Sequence, residues 1–561
     1  MQLSGAEIIV KLLERQGVTQ VSGIPGGANL PLYDALKTSS IRHILARHEQ
    51  GAGFIAQGMA RASGRTSVCF ATSGPGVTNL LTAIADARLD SIPIIAITGQ
   101  VPLSMIGTDA FQEIDTYGLT LPVTKHNYLV RSVEELLTVI PKAFQLAASG
   151  RPGPVAIDVP KDLQFKKIEV TEWPEPGGRL PAKGADDAVI DQMVDIINQS
   201  KRPMFYIGGG IIHAGAAETV RRIAEKASIP TTSTLMGLGA IPSNHPLFMG
   251  MLGMHAARYT NMALDECDLL IAAGVRFDDR ATGKVAQFCS HARIIHIDID
   301  PSELGKIKMP FVGVEGDVGK VLAAAEDRIK AVDRSEWLNR ICELKTAHPL
   351  LMPGADDPMS PYGLVLQAAA TAEPDAIITT DVGQHQMWVA QSFPFSYPRQ
   401  LLTSGGLGTM GFGLPAAIGA GLAYPNRQII CFTGDGSLLM NIQELATAVE
   451  EGVNIKVVVM NNSHLGLVRQ QQELFYGARF SASRFHAEPD FAAVARGFGV
   501  EAVDLGTASN PRSALKKAFE FRGPCLINVP IPAEEKVFPM VPPGAANRDM
   551  IGGENHVDTR R

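Results

Sequence analysis

The segment from Gln428 to Asn462 constrains the fold of this chain more than any other. It reads QIICFTGDGSLLMNIQELATAVEEGVNIKVVVMNN: an apolar, β-branched run, a Gly-Asp-Gly turn, a stretch of helical periodicity, a second apolar run and two asparagines. Short apolar runs of this kind predict buried parallel strands, and the stretch between them predicts a crossover helix. We therefore predict a right-handed βαβ unit of a doubly wound sheet, which binds ligands at the carboxyl ends of its strands.

Polar residues follow both predicted strands. Asp435 comes after the first and Asn462 after the second, and neighbouring parallel strands lie about 4.8 Å apart, so both side chains can reach one point. A carboxylate and an amide oxygen suit Mg²⁺, and Gly434 and Gly436 let the backbone approach phosphates. A turn with a helix-capping Asp is the simpler interpretation of GDG alone. The asparagine at the next strand end favours a metal site that anchors a diphosphate.

Composition limits the class of protein. The chain has 561 residues, which fits three domains of ordinary size. Its net charge of -7 argues against binding to nucleic acid or to anionic membranes. We expect a cytoplasmic protein, because no apolar run is long enough to cross a membrane and no leader pattern is present. The six cysteines have no CxxC spacing, which is typical of reduced, structural thiols.

Strand and helix patterns alternate in three stretches, separated by two Pro- and Gly-bearing segments without periodicity. We predict an α/β chain of three doubly wound parallel-sheet domains. The predicted boundaries are residues 1–166, 190–345 and 358–532. Residues 533–561 form a Pro- and Gly-rich tail that could be disordered or could fold over a site as a lid.

A GDG turn paired with two asparagines resembles the signature of thiamin diphosphate (ThDP) enzymes. Residues 47–50, RHEQ, resemble a segment of the acetohydroxyacid synthase (acetolactate synthase) large-subunit family. There the glutamate hydrogen-bonds to the aminopyrimidine ring of ThDP, so that its amino group can act as a base, and a dry pocket strengthens such a bond. Taken alone, Glu49 would belong more simply to a charged turn before a helix.

Further segments match this family in its order, from SGAEIIV near the start to MVPPGAAN near the end. They include TSGPG at 72–76, GTDAFQE at 107–113, FDDR at 277–280 and SGGLGTMG at 404–411. Each is compatible with ordinary loop chemistry, but together they are specific. The resemblance implies a pyrimidine-binding, a central FAD-binding and a diphosphate-binding domain.

The resemblance also implies four groups of functional residues. The catalytic and substrate-contacting residues are Glu49, Phe111, Gln112, Lys161, Arg276, Met410 and Gln471. The ThDP-binding residues are Gly26, Glu49, Val382, Gly383, Gln384, His385, Gly408, Met410, Gly434, Gly436, Ser437, Asn462 and Gly466. The metal ligands are Asp435, Asn462 and the main-chain carbonyl of His464. The FAD-binding residues are Arg151, Gly208, Gly209, Gly210, Gly253, Met254, His255, Gly274, Arg276, Asp278, Arg280, Asp298, Asp300 and Asp317.

Some of these roles have a physical rationale. Met410 is large and apolar and would wedge ThDP into a bent V shape, although Met also fills core space readily. Arg276 is always charged and fork-shaped, which suits the carboxylate of a second substrate. Glycines at the end of a strand admit a pyrophosphate, and acids at strand ends accept from ribose hydroxyls, although GGG alone is a weak signal.

The implied reaction decarboxylates pyruvate and condenses the remaining unit with pyruvate or 2-oxobutyrate. The product is 2-acetolactate or 2-aceto-2-hydroxybutyrate, in the first common step of valine, leucine and isoleucine biosynthesis. The implied cofactors are ThDP, Mg²⁺ and FAD, with FAD structural because no net redox occurs. Because ThDP bridges two subunits in this family, a homodimer or homotetramer is implied, and a small regulatory subunit is typical.

The chain departs from the family at Gln471, where most members carry a Trp that packs against the second substrate. By resemblance to a bacterial isozyme with Gln here, preference for 2-oxobutyrate over pyruvate should be weak. One methylene in an apolar pocket is worth only about 1–3 kcal/mol. A solvated helix face is the simpler alternative for Gln471.

Two competing functions remain. A flavin oxidoreductase of the pyruvate-oxidase kind shares the architecture and both organic cofactors, but FDDR, RHEQ and MVPPGAAN disfavour it. A non-catalytic paralogue should have lost Glu49, Asp435 or Asn462, and all three are present.

Overall fold

The computed structural model describes residues 1–553 and contains three six-stranded parallel sheets in succession along the chain. A two-stranded antiparallel ribbon accompanies the first sheet. This is the predicted α/β architecture of three doubly wound sheets, so that prediction is confirmed.

The N-terminal domain is built on the sheet order β3-β2-β4-β5-β7-β6. Strand β4 reads SVCFA and strand β5 IIAITGQ, and both are buried almost throughout, as expected of parallel strands covered by helices on both faces. The strands are β1 (Gln2–Ser4), β2 (Gln20–Gly23), β3 (Arg42–Leu45), β4 (Ser67–Ala71), β5 (Ile94–Gln100), β6 (His126–Leu129), β7 (Val155–Pro160) and β8 (Lys167–Glu169). The helices are α1 (Gly5–Arg15), α2 (Leu30–Leu36), α3 (Glu49–Ser63), α4 (Pro75–Leu89), α5 (Thr116–Thr120), α6 (Leu136–Ala148) and α7 (Lys161–Phe165).

The central domain has the sheet order β11-β10-β9-β12-β13-β14, which is the 3-2-1-4-5-6 order of dinucleotide-binding folds. The strands are β9 (Pro203–Ile207), β10 (Thr231–Ser233), β11 (Phe248–Met251), β12 (Leu269–Ala273), β13 (Arg293–Asp298) and β14 (Val312–Glu315). The helices are α8 (Asp187–Gln199), α9 (Gly209–Ala214), α10 (Ala217–Ala227), α11 (Arg258–Glu266), α12 (Asp279–Thr282), α13 (Val318–Glu326) and α14 (Ser335–Ala347).

The C-terminal domain has the order β16-β15-β17-β18-β20-β19, so it repeats the strand order of the N-terminal domain, 2-1-3-4-6-5. The strands are β15 (Ile377–Thr380), β16 (Leu401–Leu402), β17 (Ile429–Gly434), β18 (Ile455–Asn461), β19 (Glu501–Asp504) and β20 (Cys525–Pro530). The helices are α15 (Pro361–Thr371), α16 (Gln384–Ser392), α17 (Gly413–Ala423), α18 (Asp435–Leu438), α19 (Glu444–Glu451), α20 (Gly466–Phe475), α21 (Phe491–Gly497) and α22 (Pro511–Glu520).

The predicted βαβ unit is present, because β17 and β18 are adjacent and parallel. Its crossover contains two short helices, α18 and α19, where the sequence pattern predicted one. The break falls at residues 439–443. There the Asn441 side chain donates to the carbonyl of Gly411 at 2.7 Å, which draws the chain away from a continuous helix.

The first and third domains pack directly on each other through α3 and α17. A Cβ added at Gly58 would lie 2.1 Å from the carbonyl oxygen of Ala416, and one at Gly419 would lie 2.0 Å from that of Ile55. The two helices therefore meet backbone to backbone, which only glycine permits. Phe54 and Phe412 extend the apolar contact edge to face, with their ring centroids 5.3 Å apart.

The described part of the tail, residues 533–553, runs from the C-terminal to the central domain. The Gln470 side chain accepts from the Val537 N–H at 2.9 Å, and the Val541 N–H donates to the carbonyl of Met254 at 2.9 Å. The Asn547 side chain donates to the carbonyl of Ala281 at 2.8 Å. Residues 554–561 of the predicted lid lie outside the described residues.

Two further expectations concern the whole chain. The six cysteines are free thiols, of which Cys342 is exposed and the other five are buried. Across residues 1–553, no helix has both the length and the apolarity needed to cross a membrane.

Candidate active site

The strand ends of β17 and β18 bring the predicted metal ligands together. Asp435 is 4% exposed and follows β17, while Asn462 follows β18. One oxygen of Asp435, Oδ1, accepts from the Gly436 N–H at 2.8 Å, but Oδ2 is buried without a hydrogen-bond partner. Burial raises the pKa of Asp435 to about 6. A buried carboxylate oxygen without a partner is costly, and a bound cation would satisfy it.

The neutral ligands of the predicted set lie in one short loop. The Asn462 side-chain oxygen accepts from the His464 N–H at 3.1 Å, and Nδ1 of His464 lies 2.7 Å from the Asn462 carbonyl. Within residues 1–553, no three His, Cys, Asp or Glu side chains form a group able to hold a metal ion. A site with one carboxylate and neutral oxygens suits Mg²⁺, which completes its octahedron with waters and phosphate oxygens.

Three helix N-termini surround this edge of the sheet. Helix α16 begins at Gln384, α18 at Asp435 and α20 at Gly466. Gln384 ties two of them together, because its Oε1 accepts from Asn462 Nδ2 at 3.2 Å and its Nε2 donates to Gln470 Oε1 at 3.0 Å. Ser437 Oγ donates to the Val382 carbonyl at 3.1 Å. Converging helix N-termini favour an anionic group such as a diphosphate.

His385 faces the same edge. It is 5% exposed, its Nε2 has no hydrogen-bond partner, and burial lowers its pKa to about 3. A Cβ on Gly434 would lie 3.1 Å from its Nδ1, so a larger residue there would require the imidazole ring to shift by a few tenths of an ångström. His385 is therefore neutral at physiological pH, and its Nε2 can donate to a phosphate oxygen only in the tautomer that carries the proton on this atom.

The glycine-rich loop that carries Met410 lies between β16 and α17. Gly408 and Gly411 adopt left-handed backbone conformations with φ of +70° and +89°. The Gly411 N–H donates to Asp381 Oδ1 at 2.7 Å. Burial raises the pKa of Asp381 to about 6, and hydrogen bonds from Gly411 and Thr433 oppose that rise. Met410 is half-buried.

The predicted pyrimidine-binding residues lie on the N-terminal domain. Glu49 is the first residue of α3 and accepts from Asn79 Nδ2 at 3.0 Å. Gln112 has a φ of +60°, and its carbonyl would lie 2.8 Å from a Cβ on Gly74, so the TSGPG and GTDAFQE loops touch. Phe111 is 87% exposed, and Lys161 begins α7.

A cavity of about 740 Å³ lies where the three domains meet. Most of the residues predicted to bind FAD line it: Arg151, Gly208, Gly209, Gly210, Met254, His255, Gly274, Arg276, Asp278, Arg280, Asp298 and Asp317. Val382, Gly408 and Gln471 of the C-terminal domain also line it. The cavity thus joins the predicted FAD residues to Arg276 and Gln471, the two residues predicted to meet the second substrate.

Other predicted residues lie outside this lining. Gly253 and Asp300 do not line the cavity but contact residues that do. A Cβ on Gly253 would lie 2.2 Å from the Arg280 carbonyl, and Asp300 pairs with Arg151 Nη1 at 3.2 Å. Gly26 packs against Thr72 in the N-terminal domain, because a Cβ there would lie 2.6 Å from the Thr72 side chain. The lining residues of the described chain do not include Glu49, Phe111, Gln112 or Lys161. Met410 and Asp435 are also absent from this lining, so Arg276 and Gln471 are the only two of the predicted catalytic residues in the described chain that line this cavity.

Acidic side chains at or near strand ends line part of the cavity, which basic side chains also line. Asp298 ends β13, and burial raises its pKa to about 6. Asp278 and Asp317 cap α12 and α13 through backbone N–H groups. His255 lies with Nδ1 3.3 Å from the Pro539 carbonyl of the tail, and burial lowers its pKa to about 4. The acids fit the ribose hydroxyls of a dinucleotide, and the arginines of the lining, Arg151, Arg276 and Arg280, suit its pyrophosphate.

The sequence patterns did not identify two charged residues that line the cavity, Glu303 and Arg61. Glu303 pairs with Arg151 at 2.7 Å and lies three residues beyond Asp300, so extending the IDIDP motif would have found it. Arg61 also lines the cavity, although its sequence context is the apolar helix FIAQGMARAS. A lone arginine in such a helix carries no motif that reveals its partners.

Comparison with known proteins matches the chain in three consecutive parts. The models described as thiamine pyrophosphate enzyme N-terminal TPP binding domain, central domain and C-terminal TPP binding domain match residues 3–119, 190–325 and 381–529. The acetolactate synthase isozyme 1 large subunit of Escherichia coli K12 is 58% identical over 552 residues, 98% of both chains. The isozyme 2 large subunit of that strain is 44% identical over 98% of this chain and 99% of its own.

A plant relative extends this similarity. Chloroplastic acetolactate synthase 1 of Nicotiana tabacum is 46% identical over 98% of this chain and 84% of its own. Identity of this degree over nearly the full length, together with all three domains of the cofactor-binding fold, leaves no ambiguity about kinship. The chain belongs to the acetolactate synthase family of thiamine pyrophosphate enzymes, transferases of branched-chain amino-acid biosynthesis.

Proposed function

We propose that this chain decarboxylates pyruvate and joins the remaining two-carbon unit to pyruvate or 2-oxobutyrate. The products are 2-acetolactate and 2-aceto-2-hydroxybutyrate. The observation that carries this proposal is the buried, unpartnered Oδ2 of Asp435 at an edge where three helix N-termini converge. When bound there, ThDP supplies the electron sink for the loss of CO₂.

The residues of the C-terminal domain would hold the diphosphate end. Asp435, the Asn462 amide oxygen and the His464 carbonyl would bind Mg²⁺. The free Nε2 of His385 and the N-termini of α16 and α20 would meet phosphate oxygens. Neutral His385 adds no charge, so the helix dipoles and the metal carry the electrostatic balance.

The other end of the cofactor would be held by Glu49. Its carboxylate would accept a hydrogen bond from the protonated pyrimidine nitrogen and keep the proton at that atom. Asn79, 3.0 Å from Glu49 Oε2, holds the carboxylate in place. Met410 would contact the cofactor between its two rings.

We propose that Glu49 acts on the cofactor of a second subunit. Glu49, Phe111 and Lys161 lie outside the cavity that holds Arg276 and Gln471. The N-terminal domain also exposes large apolar side chains that a second copy would cover: Met105, Phe111, Tyr117 and Leu121. A homodimer places two identical patches face to face, and a homotetramer repeats that unit.

Mixing two inactive variants tests the shared site. Glu49→Gln and Asp435→Asn should each be inactive alone. After unfolding and refolding together they should regain about a quarter of wild-type activity, because half the dimers are mixed and each mixed dimer has one intact site. No recovery in a mixture shown by mass to contain mixed dimers would contradict the subunit-bridging site.

The central cavity would hold FAD. Its volume of about 740 Å³ lies in the range of cofactor sites, and β9 to β14 have the dinucleotide-binding order. Condensation of two 2-oxoacids involves no net redox, so FAD would serve as a structural element. Arg276, at the junction of this cavity with the C-terminal domain, would bind the carboxylate of the second 2-oxoacid.

A small regulatory subunit is a further proposed partner. The Escherichia coli relatives are named large subunits. A matching small subunit should co-purify with this chain when the two are expressed together, and should raise its activity.

The decisive experiment incubates the purified chain with pyruvate, ThDP and Mg²⁺ and measures acetoin after acidification. We expect acetoin that depends on both ThDP and Mg²⁺. A pyruvate oxidase would instead bleach the flavin spectrum anaerobically at turnover rates. Bleaching without acetoin would replace the proposed function by that oxidoreductase.

A further inference from the structure

Two buried aspartates on the N-terminal domain share one arginine. Asp86, in α4, and Asp90, just after it, have side chains that are 0% exposed, and the Arg61 side chain is 3% exposed. Nη2 of Arg61 lies 2.9 Å from Asp86 Oδ1 and 2.9 Å from Asp90 Oδ2. One guanidinium therefore faces two carboxylates, and burial raises the pKa of Asp86. Burying one positive charge with two negative charges is costly, so the two carboxylates need further hydrogen-bond donors.

Those partners belong to the C-terminal domain. Asp90 accepts from the backbone N–H groups of Gly405 at 3.0 Å and Gly406 at 2.7 Å. Asp86 Oδ2 accepts from Thr409 Oγ1 at 2.9 Å and from the hydroxyl of Ser404. Asp86 thus binds the first and last residues of the segment 404–409, and Asp90 binds the two glycines that follow Ser404, more than 300 positions along the chain.

The rest of the network closes the same loop. Arg61 Nη1 donates to the Thr403 carbonyl at 2.9 Å, and Ser404 Oγ accepts from the Thr409 N–H at 2.8 Å. A Cβ on Gly406 would lie 2.9 Å from Asp90 Oδ1 and 3.2 Å from Arg276 Nη2, so the loop passes between these opposite charges. A fully satisfied buried network of this kind specifies one conformation, which apolar packing alone does not require.

Met410 lies directly between two anchors. Thr409 before it is bound to Asp86, and Gly411 after it is bound to Asp381 Oδ1 at 2.7 Å. Asp381 is 0% exposed, so both anchors are rigid, buried carboxylates, one from each domain. The backbone is therefore held on both sides of Met410, by Asp86 through the residue before it and by Asp381 through the residue after it.

We propose that Asp86 is a positioning residue, which acts through Ser404 and Thr409 to hold Met410 against the bound cofactor. The inference rests on the proposed function, because it takes Met410 as the group that contacts ThDP. Through Asp86, the N-terminal domain of a chain would fix the shape of the cofactor site on the C-terminal domain of the same chain. This is separate from the contribution that Glu49 of that domain makes to a second subunit.

The test measures cofactor activation apart from turnover. The variants are Asp86→Asn, which keeps the shape and removes the charge, and Thr409→Val, which removes the hydroxyl. The matched control is Thr409→Ser, which keeps the hydroxyl. Hydrogen–deuterium exchange at C2 of the thiazolium ring, followed by NMR after acid quench, reports how well the bound cofactor is bent. Thermal unfolding of the cofactor-free proteins reports the structural contribution.

We expect C2 exchange to slow by about tenfold to a hundredfold in both variants, because a misplacement of about 1 Å at a reacting centre has effects of that size. Thr409→Ser should exchange at the wild-type rate. If Asp86→Asn does not fold, Thr409→Val decides. Wild-type exchange in Thr409→Val, with folded protein, would overturn the inference. A wild-type chain that does not accelerate exchange would instead overturn the proposed function, and this inference with it.

Discussion

Glu444, the first residue of α19, accepts a hydrogen bond from the backbone N–H of Arg47 at 2.9 Å. The same oxygen accepts from the His48 N–H at 3.1 Å, and Thr447 donates to the other oxygen at 2.7 Å. A buried carboxylate of the C-terminal domain thus holds the turn that precedes Glu49. Burial raises the pKa of Glu444, and these donors oppose the rise.

Removal of this carboxylate should weaken both the fold and the Glu49 turn. Glu444→Ala leaves two half-buried backbone N–H groups without their acceptor and removes a buried hydrogen bond to Thr447, and we expect a loss of about 3 kcal/mol in the free energy of unfolding, measured by urea denaturation. The control is Glu450→Ala, because Glu450 pairs with Arg47 at the surface and is 52% exposed. It should cost less than about 1 kcal/mol. Equal losses would contradict the role given to Glu444.

The glycine contact between α3 and α17 makes a second prediction. Gly58→Ala would place a methyl group 2.1 Å from the Ala416 carbonyl, so the two domains must separate. We expect a loss of about 3 kcal/mol or more, seen as a lower midpoint of thermal unfolding. Gly497→Ala, in α21, meets nothing within 4 Å and should change the midpoint little or raise it. Similar midpoints for both variants would refute the backbone contact.

The raised pKa of Asp158 leads us to expect that the free energy of unfolding depends on pH. Asp158 is buried in β7 and its pKa is raised to about 7 by burial, against hydrogen bonds from Thr98 at 2.7 Å and Gln100 at 2.9 Å. An unfolded Asp has a pKa of about 3.9, so the folded chain holds this proton more tightly. This group therefore makes the fold less stable as pH rises from about 4 to about 7, with no further change above.

Asp158→Asn should remove that component. The free energy of unfolding of the variant relative to wild type should increase by about 2–4 kcal/mol between pH 4 and pH 7 and stay level above pH 7. Urea denaturation at a series of pH values measures it. A difference that does not change with pH would show that Asp158 does not titrate in this range.

We expect the side chain at position 471 to influence the preference between 2-oxobutyrate and pyruvate as the second substrate. Gln471 lines the same cavity as Arg276, where a second 2-oxoacid would meet it. Gln471→Trp adds apolar surface next to the extra methylene of 2-oxobutyrate, and we expect that substrate's share of product to rise by about tenfold. Gln471→Ala adds no such surface and should not raise it. Product ratios from mixed pyruvate and 2-oxobutyrate that are the same in all three proteins would contradict the specificity role.

The sequence by itself determined the three-sheet α/β fold and the βαβ unit with Asp435 and Asn462 at adjacent strand ends. Both follow from local patterns, since the periodicity of apolar residues and the glycines at strand ends depend on near neighbours. The tertiary structure alone decided that Arg61 joins Asp86 and Asp90 to the Met410 loop, and that Glu49 lies apart from the cavity of Arg276. These relationships depend on how separate domains pack, and hydrogen bonds between residues more than 300 positions apart leave no periodic trace in a single sequence.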